Sequence, residues 1–190
     1  MYADVFMRRG TQPLHASWLI EADSKSVEQE ALLNLLREAS TALEADFACV
    51  HLFSIPEIER GLANRTIEFL STRGAEVFKG ERRILEFAFL LSSQHIHRCI
   101  PELYWATVFG PHYVKMFGRD RLLSTPVFRV ESLGTDRILL QLSAKLSDLE
   151  DHWPEVERVH SSAKAHLGQD AFFQPGAESP AGYRVPQFEL

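Results

Sequence analysis

Val127-Phe-Arg-Val-Glu131 and Arg137-Ile-Leu-Leu-Gln-Leu-Ser143 are two β-rich runs in the last third of the chain. The five residues between them, Ser-Leu-Gly-Thr-Asp, are rich in turn formers, which is typical of the loop of a β-hairpin. Because a hairpin pairs its strands antiparallel, it sets the kind of sheet that the other strands join. We therefore predict an α+β fold, a single domain with a mostly antiparallel sheet and helices packed against it.

Helices are predicted on both sides of this hairpin. Pro111 is suited to the first turn of a helix that ends near Gly118. Pro154 begins a second helix, which Gly168 ends. Its apolar positions recur at helical spacing: Val156, Val159, Ala163 and Leu167.

The first third of the chain predicts strand, helix and strand. Residues 15–21 alternate as a strand, and residues 47–53 form an apolar run expected of a central strand covered on both faces. Between them, Ser26 and Gln29 have the spacing of a capping box at the start of a helix. The expected buried stripe of this helix is Leu32, Leu35, Leu36, Ala39 and Leu43.

The sequence in the middle of the chain predicts secondary structure less definitely. Residues 56–61 resemble a short helix begun by a proline. Residues 66–70 and 84–91 are apolar runs that fit either a strand or a helix segment. We predict an irregular tail over 174–190, held to the protein by Phe188. We also predict one domain over 1–190, since no repeat or linker divides the chain.

The composition is that of a globular protein. The chain has 190 residues, of which 45% are hydrophobic and 24% charged, and its net charge is −6. These values exclude disordered, collagen-like and disulfide-scaffold classes, and the acidity argues against direct binding of nucleic acid or of an anionic membrane. With no signal-peptide pattern and only two cysteines, Cys49 and Cys99, we expect a cytoplasmic protein with reduced thiols.

The negative charge is concentrated in two regions predicted to be largely helical. Residues 23–46 carry a net charge of −4 and residues 144–160 a net charge of −3, so the rest of the chain is close to neutral. Acidic residues at a helix start are favoured by the helix dipole, which is one explanation for the second region. An acidic face that meets a basic partner is the other.

Motifs for chemistry are few. His95, His97 and Cys99 alternate as they would along one face of a strand, and a metal there would need a further ligand such as His112 or Asp120. No phosphate-binding loop and no nucleophile elbow occurs in the sequence. We expect no metal, no cofactor and no catalytic site, with a small His-dependent or metal-dependent enzyme near His95, His97 and His112 as the alternative.

Residues 101–173 resemble the immunity protein 52 family of bacterial polymorphic toxin systems. The resemblance lies in Pro101-Glu-Leu-Tyr-Trp105, Phe109-Gly-Pro-His-Tyr-Val114, Phe117-Gly118 and Leu122-Leu-Ser-Thr-Pro126, and in His166-Leu-Gly-Gln-Asp-Ala-Phe-Phe173 followed by Pro186. It implies an antitoxin that binds and occludes a cognate toxin domain, often one delivered by type VI secretion. It transfers no catalytic residue to this chain.

The charge pattern suggests where such a toxin would bind. An acidic face fits a toxin with a basic cleft, such as one acting on RNA or another polyanion. Trp153 is either an interface anchor or a residue that packs the start of its helix onto the core. A structural adaptor of a secretion apparatus is a further alternative for the whole protein. The expected toxin contacts are Asp148, Glu150, Asp151, Trp153 and Glu155, followed by Glu57 and Glu59.

Overall fold

The computed structural model describes residues 2–7, 16–21, 26–52, 99–100, 102–172 and 182–188. The elements expected at 56–61, 66–70 and 84–91 lie outside these residues. So do four side chains considered for function: Glu57, Glu59, His95 and His97.

The described strands form two antiparallel sheets. Numbered along the chain, they are β1 (Tyr2–Met7), β2 (Ala16–Glu21), β3 (Phe47–Val50), β4 (Ala106–Phe109), β5 (Arg129–Leu133) and β6 (Arg137–Gln141). Strands β1 and β2 pair with each other, and the other four pair in the order β3-β4-β6-β5. Together with the helices, this sheet confirms the predicted α+β fold.

The core lies around β4 and β6, which are buried along their whole lengths. The predicted hairpin is confirmed as β5 and β6, although β5 begins two residues later than expected. Its connection is shortened to residues 134–136, and Gly134 adopts a positive φ of 70°. The expectation of a central strand at 47–53 was wrong for the described strands, since β3 ends the strand order and is only half-buried.

The helices, numbered in the same way, are α1 (Gln29–Ala42), α2 (Pro111–Phe117), α3 (Arg119–Leu123), α4 (Asp148–Asp151) and α5 (Trp153–Leu167). Both proline-initiated helices are confirmed, with Gly118 and Gly168 ending α2 and α5 at φ values of 85° and 107°. Of the expected apolar positions in α5, three are buried and Val159 is partly buried against the core.

Helix α1 has a different buried face from the one predicted. Leu33, Leu36 and Ser40 are buried, whereas Leu35 and Leu43 are 40% and 45% exposed. Arg37 lies beside this face. Its guanidinium nitrogens donate to the two carboxylate oxygens of Glu131 on β5 at 3.0–3.1 Å. The capping box is also wrong, because Glu28 occupies the N-cap position and makes no side-chain cap hydrogen bond.

The described tail, residues 182–188, is irregular as predicted and is held at two points. The Phe188 ring lies 5.0 Å from the His112 ring and 6.4 Å from the Tyr113 ring, measured between centroids. The Arg184 guanidinium donates to the Leu167 carbonyl at 2.6 Å, at the end of α5. A cation is favoured at a helix C-terminus, so this contact closes α5 as well as fixing the tail.

None of the helices among the described residues has both the length and the apolar character needed to cross a membrane.

Gly110 allows the chain before β3 to approach the end of β4. Its amide donates to the Asp46 carbonyl at 2.7 Å, and a Cβ at this position would overlap the Ala45 oxygen and lie 2.7 Å from the Asp46 Cα. Gly110→Ala is therefore expected to lower the free energy of unfolding by about 1–3 kcal/mol, as overpacking does. Chemical denaturation measures this, with Gly182→Ala as the control because, apart from its chain neighbours, none of the described residues comes within 4 Å of its added Cβ. Equal stability of both variants would contradict the account.

Candidate protein-binding surface

The side chain of Gln29 joins the start of α1 to the loop that follows β6. Its amide nitrogen donates to the Ala144 carbonyl at 2.8 Å, and its amide oxygen accepts from the Leu146 N–H at 2.7 Å. Leu146 is two residues before α4 begins at Asp148. The two acidic regions of the sequence therefore meet at this point of the structure.

Side chains of the sheet fix the loop between β6 and α4. The amide nitrogen of Gln141, which is buried in β6, donates to the Ser143 carbonyl at 2.8 Å. The Ser143 hydroxyl accepts from the Trp105 indole N–H at 3.1 Å and donates to the Lys145 carbonyl at 2.8 Å. The loop thus presents α4 from a fixed position on the core.

Asp148 belongs to this loop structure as much as to the surface. Its carboxylate accepts from the Lys145 N–H at 2.9 Å, three residues earlier, which closes the turn that precedes α4. Asp148 is half-buried. Among the described acidic residues predicted to contact a toxin, Asp148 is the one whose carboxylate closes a turn of the backbone.

Glu150, Asp151 and Glu155, the other predicted acidic contacts that the structure describes, are exposed. Glu150 and Asp151 lie on α4, and Glu155 forms a 3.5 Å ion pair with Arg158 in which both side chains are more than half exposed. Within the described part of the chain, no basic side chain pairs with Glu28, Glu150 or Asp151. We call this group the acidic surface: Glu28, Glu30, Asp148, Glu150, Asp151 and Glu155.

Trp153 lies in the first turn of α5, next to the acidic surface. It is half-buried and packs against the buried residues of the core. This is the contact expected of a residue that holds the start of its helix to the protein. The part of the indole that stays accessible adjoins Glu150 and Asp151 along the chain.

The possible metal ligands that the structure describes do not converge. His112 Nδ1 lies 2.5 Å from Asp46 Oδ1, and the imidazole ring packs against Phe188. Cys99 is buried, and Asp120 is exposed on α3. Among the described residues, no three His, Cys, Asp or Glu side chains are placed to share a metal ion.

Cys49, on β3, is poorly suited to nucleophilic chemistry. Burial raises the pKa of its thiol to about 12. Because the thiolate is the nucleophile, a pKa this high leaves the group protonated at neutral pH.

An open groove runs between α1 and the hairpin loop. It has a volume of about 430 Å³, and its lining includes Arg37, Leu133 and Gly134. The Arg37 guanidinium is already bonded to Glu131 and Glu30. The guanidinium that lines this groove is therefore already used in the fold.

Sequence analysis missed a charged cluster on α5. Glu102 Oε1 accepts from His160 Nε2 at 2.7 Å and from Lys164 Nζ at 2.8 Å. The Lys164 ammonium also lies 5.2 Å from the centre of the Phe172 ring. The i, i+4 spacing of His160 and Lys164 placed both on one helix face, but nothing in the sequence paired them with a glutamate 58 residues earlier.

The cluster lowers the pKa of Glu102 to about 2. Burial alone would raise this pKa, but the His160 hydrogen bond and the Lys164 charge outweigh it. The side chains of His160 and Lys164 are mostly buried, so the cluster fastens α5 to the segment that leads into β4.

The described aromatic residues on which the proposed resemblance to an immunity family rests lie in the core. Trp105, Phe109, Tyr113 and Phe117 are buried around β4 and α2. They build the fold beneath the acidic surface and do not form part of it. Comparisons with protein-family models, with curated proteins and with solved structures return no match to this chain.

The stabilising effect of Glu102 is expected to depend on pH. Its folded-state pKa is lowered, so the ionised carboxylate stabilises the protein above its ordinary pKa of 4.5, and this stability is lost as the pH falls toward 2. Since Glu102 is 41% exposed, solvent screening limits the effect of Glu102→Gln at pH 7 to about 1 kcal/mol. Denaturation of the wild type and of Glu102→Gln at several pH values between 7 and 2 measures the difference in their free energies of unfolding, which should become smaller in acid.

Glu155→Gln is the control, because Glu155 pairs only at the exposed surface. A difference between wild type and Glu102→Gln that stays constant across this pH range would contradict the ionic role of Glu102.

Proposed function

We propose that this chain is a cytoplasmic immunity protein that binds a cognate bacterial toxin domain and covers its basic cleft. Its partner is a protein, and the chain makes no direct contact with nucleic acid or a membrane. Inhibition of this kind needs a complementary surface and no catalytic group. The observation that carries the proposal is the acidic surface built by α1 and α4 around Gln29.

The acidic surface suits a cationic partner for two reasons. Glu28, Glu150 and Asp151 have no basic partner in the described part of the chain, so their charge is available to a binding protein. The loop beneath them is held by buried residues of the sheet, which keeps the carboxylates in a fixed arrangement. Fixed opposite charges speed association and reject wrong partners.

The helix dipole accounts for only part of this charge. Glu155, in the first turn of α5, is placed to interact favourably with the start of that helix. Glu28, at the N-cap position of α1, is placed in the same way, whereas Glu150 and Asp151 belong to α4, whose four residues carry little dipole. The starts of α1, α4 and α5 thus all contribute acidic residues to the acidic surface. The dipole of a single helix accounts only for the acidic residues at its own start.

The basic charge expected of the partner indicates the kind of toxin that it is. Enzymes that act on RNA or another polyanion carry a basic cleft, and an acidic protein that fills this cleft excludes the substrate. The resemblance of residues 101–173 to an immunity family supports the same conclusion. The exposed part of Trp153 adds an aromatic contact beside the acids, and Glu57 and Glu59 are proposed as further contacts.

The test uses the C-terminal domain of the protein encoded directly upstream of this gene. Expressed alone, that domain should stop growth, and co-expression of this chain should restore it. With the purified pair, Glu150→Lys together with Asp151→Lys is expected to raise the Kd about tenfold or more, mainly through slower association. Surface plasmon resonance measures both rate constants.

Glu38→Lys together with Glu44→Lys is the matched control, because it reverses two exposed acidic residues in and just after α1, outside the acidic surface. The possible failures are distinguishable. Growth that this chain does not restore would contradict the immunity function. Restored growth with an unchanged Kd for the double variant would contradict the assignment of the surface.

A further inference from the structure

Strand β5 lies at one end of the sheet formed by the described strands. Within the described residues, β5 pairs with β6 and with no other strand, and it ends the order of the sheet. Such a strand presents unpaired N–H and C=O groups that can bind another extended chain. Phe128, directly before β5, is 54% exposed, which is high for an aromatic residue.

The sequence of β5 and the residues before it is self-complementary in charge. In Val127-Phe-Arg-Val-Glu-Ser-Leu133, Arg129 and Glu131 stand one residue to either side of Val130. When two copies of the strand run antiparallel with Val130 opposite Val130, Arg129 of each copy therefore lies opposite Glu131 of the other. At each end of the paired strands, Val127 of one copy likewise lies opposite Leu133 of the other, so apolar residues face each other there.

We propose that two copies of this chain pair through β5, antiparallel, about a two-fold axis at Val130. The two four-stranded sheets then become one continuous sheet. Arg129 of each copy lies opposite Glu131 of the other, and Val130 lies opposite its own counterpart. Two ion pairs and a central apolar contact form for each pair of strands.

Other registers lack this complementarity. A two-fold axis perpendicular to the sheet keeps every side chain on its own face, so the register must be centred on a residue. A centre at Glu131 places two glutamates opposite each other, and a centre at Arg129 places two arginines opposite each other. Like charges directly opposite are destabilising, and centres at Phe128 or Ser132 leave Arg129 and Glu131 without an opposite charge across the junction. The register at Val130 is the one of these five that pairs the two charges.

Glu131 is held ready for this contact. The Arg37 guanidinium binds both of its carboxylate oxygens from the α1 side, at 3.0–3.1 Å. The Glu131 side chain is still 35% exposed, so its carboxylate has room for a second guanidinium. Arg129 is exposed and forms no ion pair with the described residues, and its guanidinium lies 5.9 Å from the centre of the Phe128 ring.

The same pairing covers Phe128. In the register centred on Val130, Phe128 lies opposite Ser132 of the second copy and diagonal to its Val130. Diagonal neighbours across two strands are within reach of an aromatic side chain. The exposed aromatic ring and the open strand are thus covered by one contact.

Analytical ultracentrifugation of the full chain tests the proposal over a range of concentrations. The wild type is expected to shift from monomer to dimer as its concentration rises. Arg129→Glu should weaken the dimer about tenfold or more, since it places four carboxylates along the junction. Arg158→Glu, an equal charge change at an exposed site on α5, should leave the dimer unchanged, and thermal unfolding verifies that both variants fold.

A cysteine variant reports the register. Val130→Cys should form a disulfide-linked dimer under mild oxidation, because residues directly opposite on paired strands have Cα atoms about 4.5–5.5 Å apart. Ser132→Cys should not, because each Ser132 faces Phe128 of the other copy. A chain that stays monomeric at all concentrations, or a dimer that Arg129→Glu leaves intact, would overturn the proposal.

Discussion

The carboxamide of Gln29 links two parts of the chain that are 115 residues apart in sequence. Through its two hydrogen bonds, the start of α1 and the loop before α4 become one surface. Because a buried or half-buried amide that loses one of its partners costs free energy, the two bonds act together to fix the relative positions of these segments. The acidic surface, and with it the proposed binding of a basic partner, depends on this contact.

Local signals in the sequence were sufficient for part of the fold. The turn-rich loop at 132–136, Pro111 and Gly118 around α2, and Gly168 after α5 are each decided within a few residues, and each prediction was confirmed. The motifs on which the proposed family resemblance rests come largely from the same regions, and their described aromatic residues lie in the core. The acidic character of α4 and of the start of α5 was also visible in the sequence.

Long-range contacts decided what the sequence could not predict. Gln29 was interpreted as half of a capping box, but its amide bonds to residues 144 and 146. The buried face of α1 depends on its packing against β3 and β4, and the cluster around Glu102 depends on a glutamate and a helix far apart in the chain. Periodicity describes one element at a time, so it could not place the two acidic regions side by side.

Amide hydrogen exchange at Leu146 is the most direct test of the central claim, that Gln29 holds the acidic segments together. The Leu146 N–H donates to the Gln29 oxygen, and Gln29→Met keeps the length of the side chain while removing both hydrogen bonds. The account predicts that exchange at Leu146 becomes about tenfold faster or more in this variant, and that exchange in the first turn of α1 also rises. Equal exchange rates at Leu146 in the wild type and the variant would contradict it.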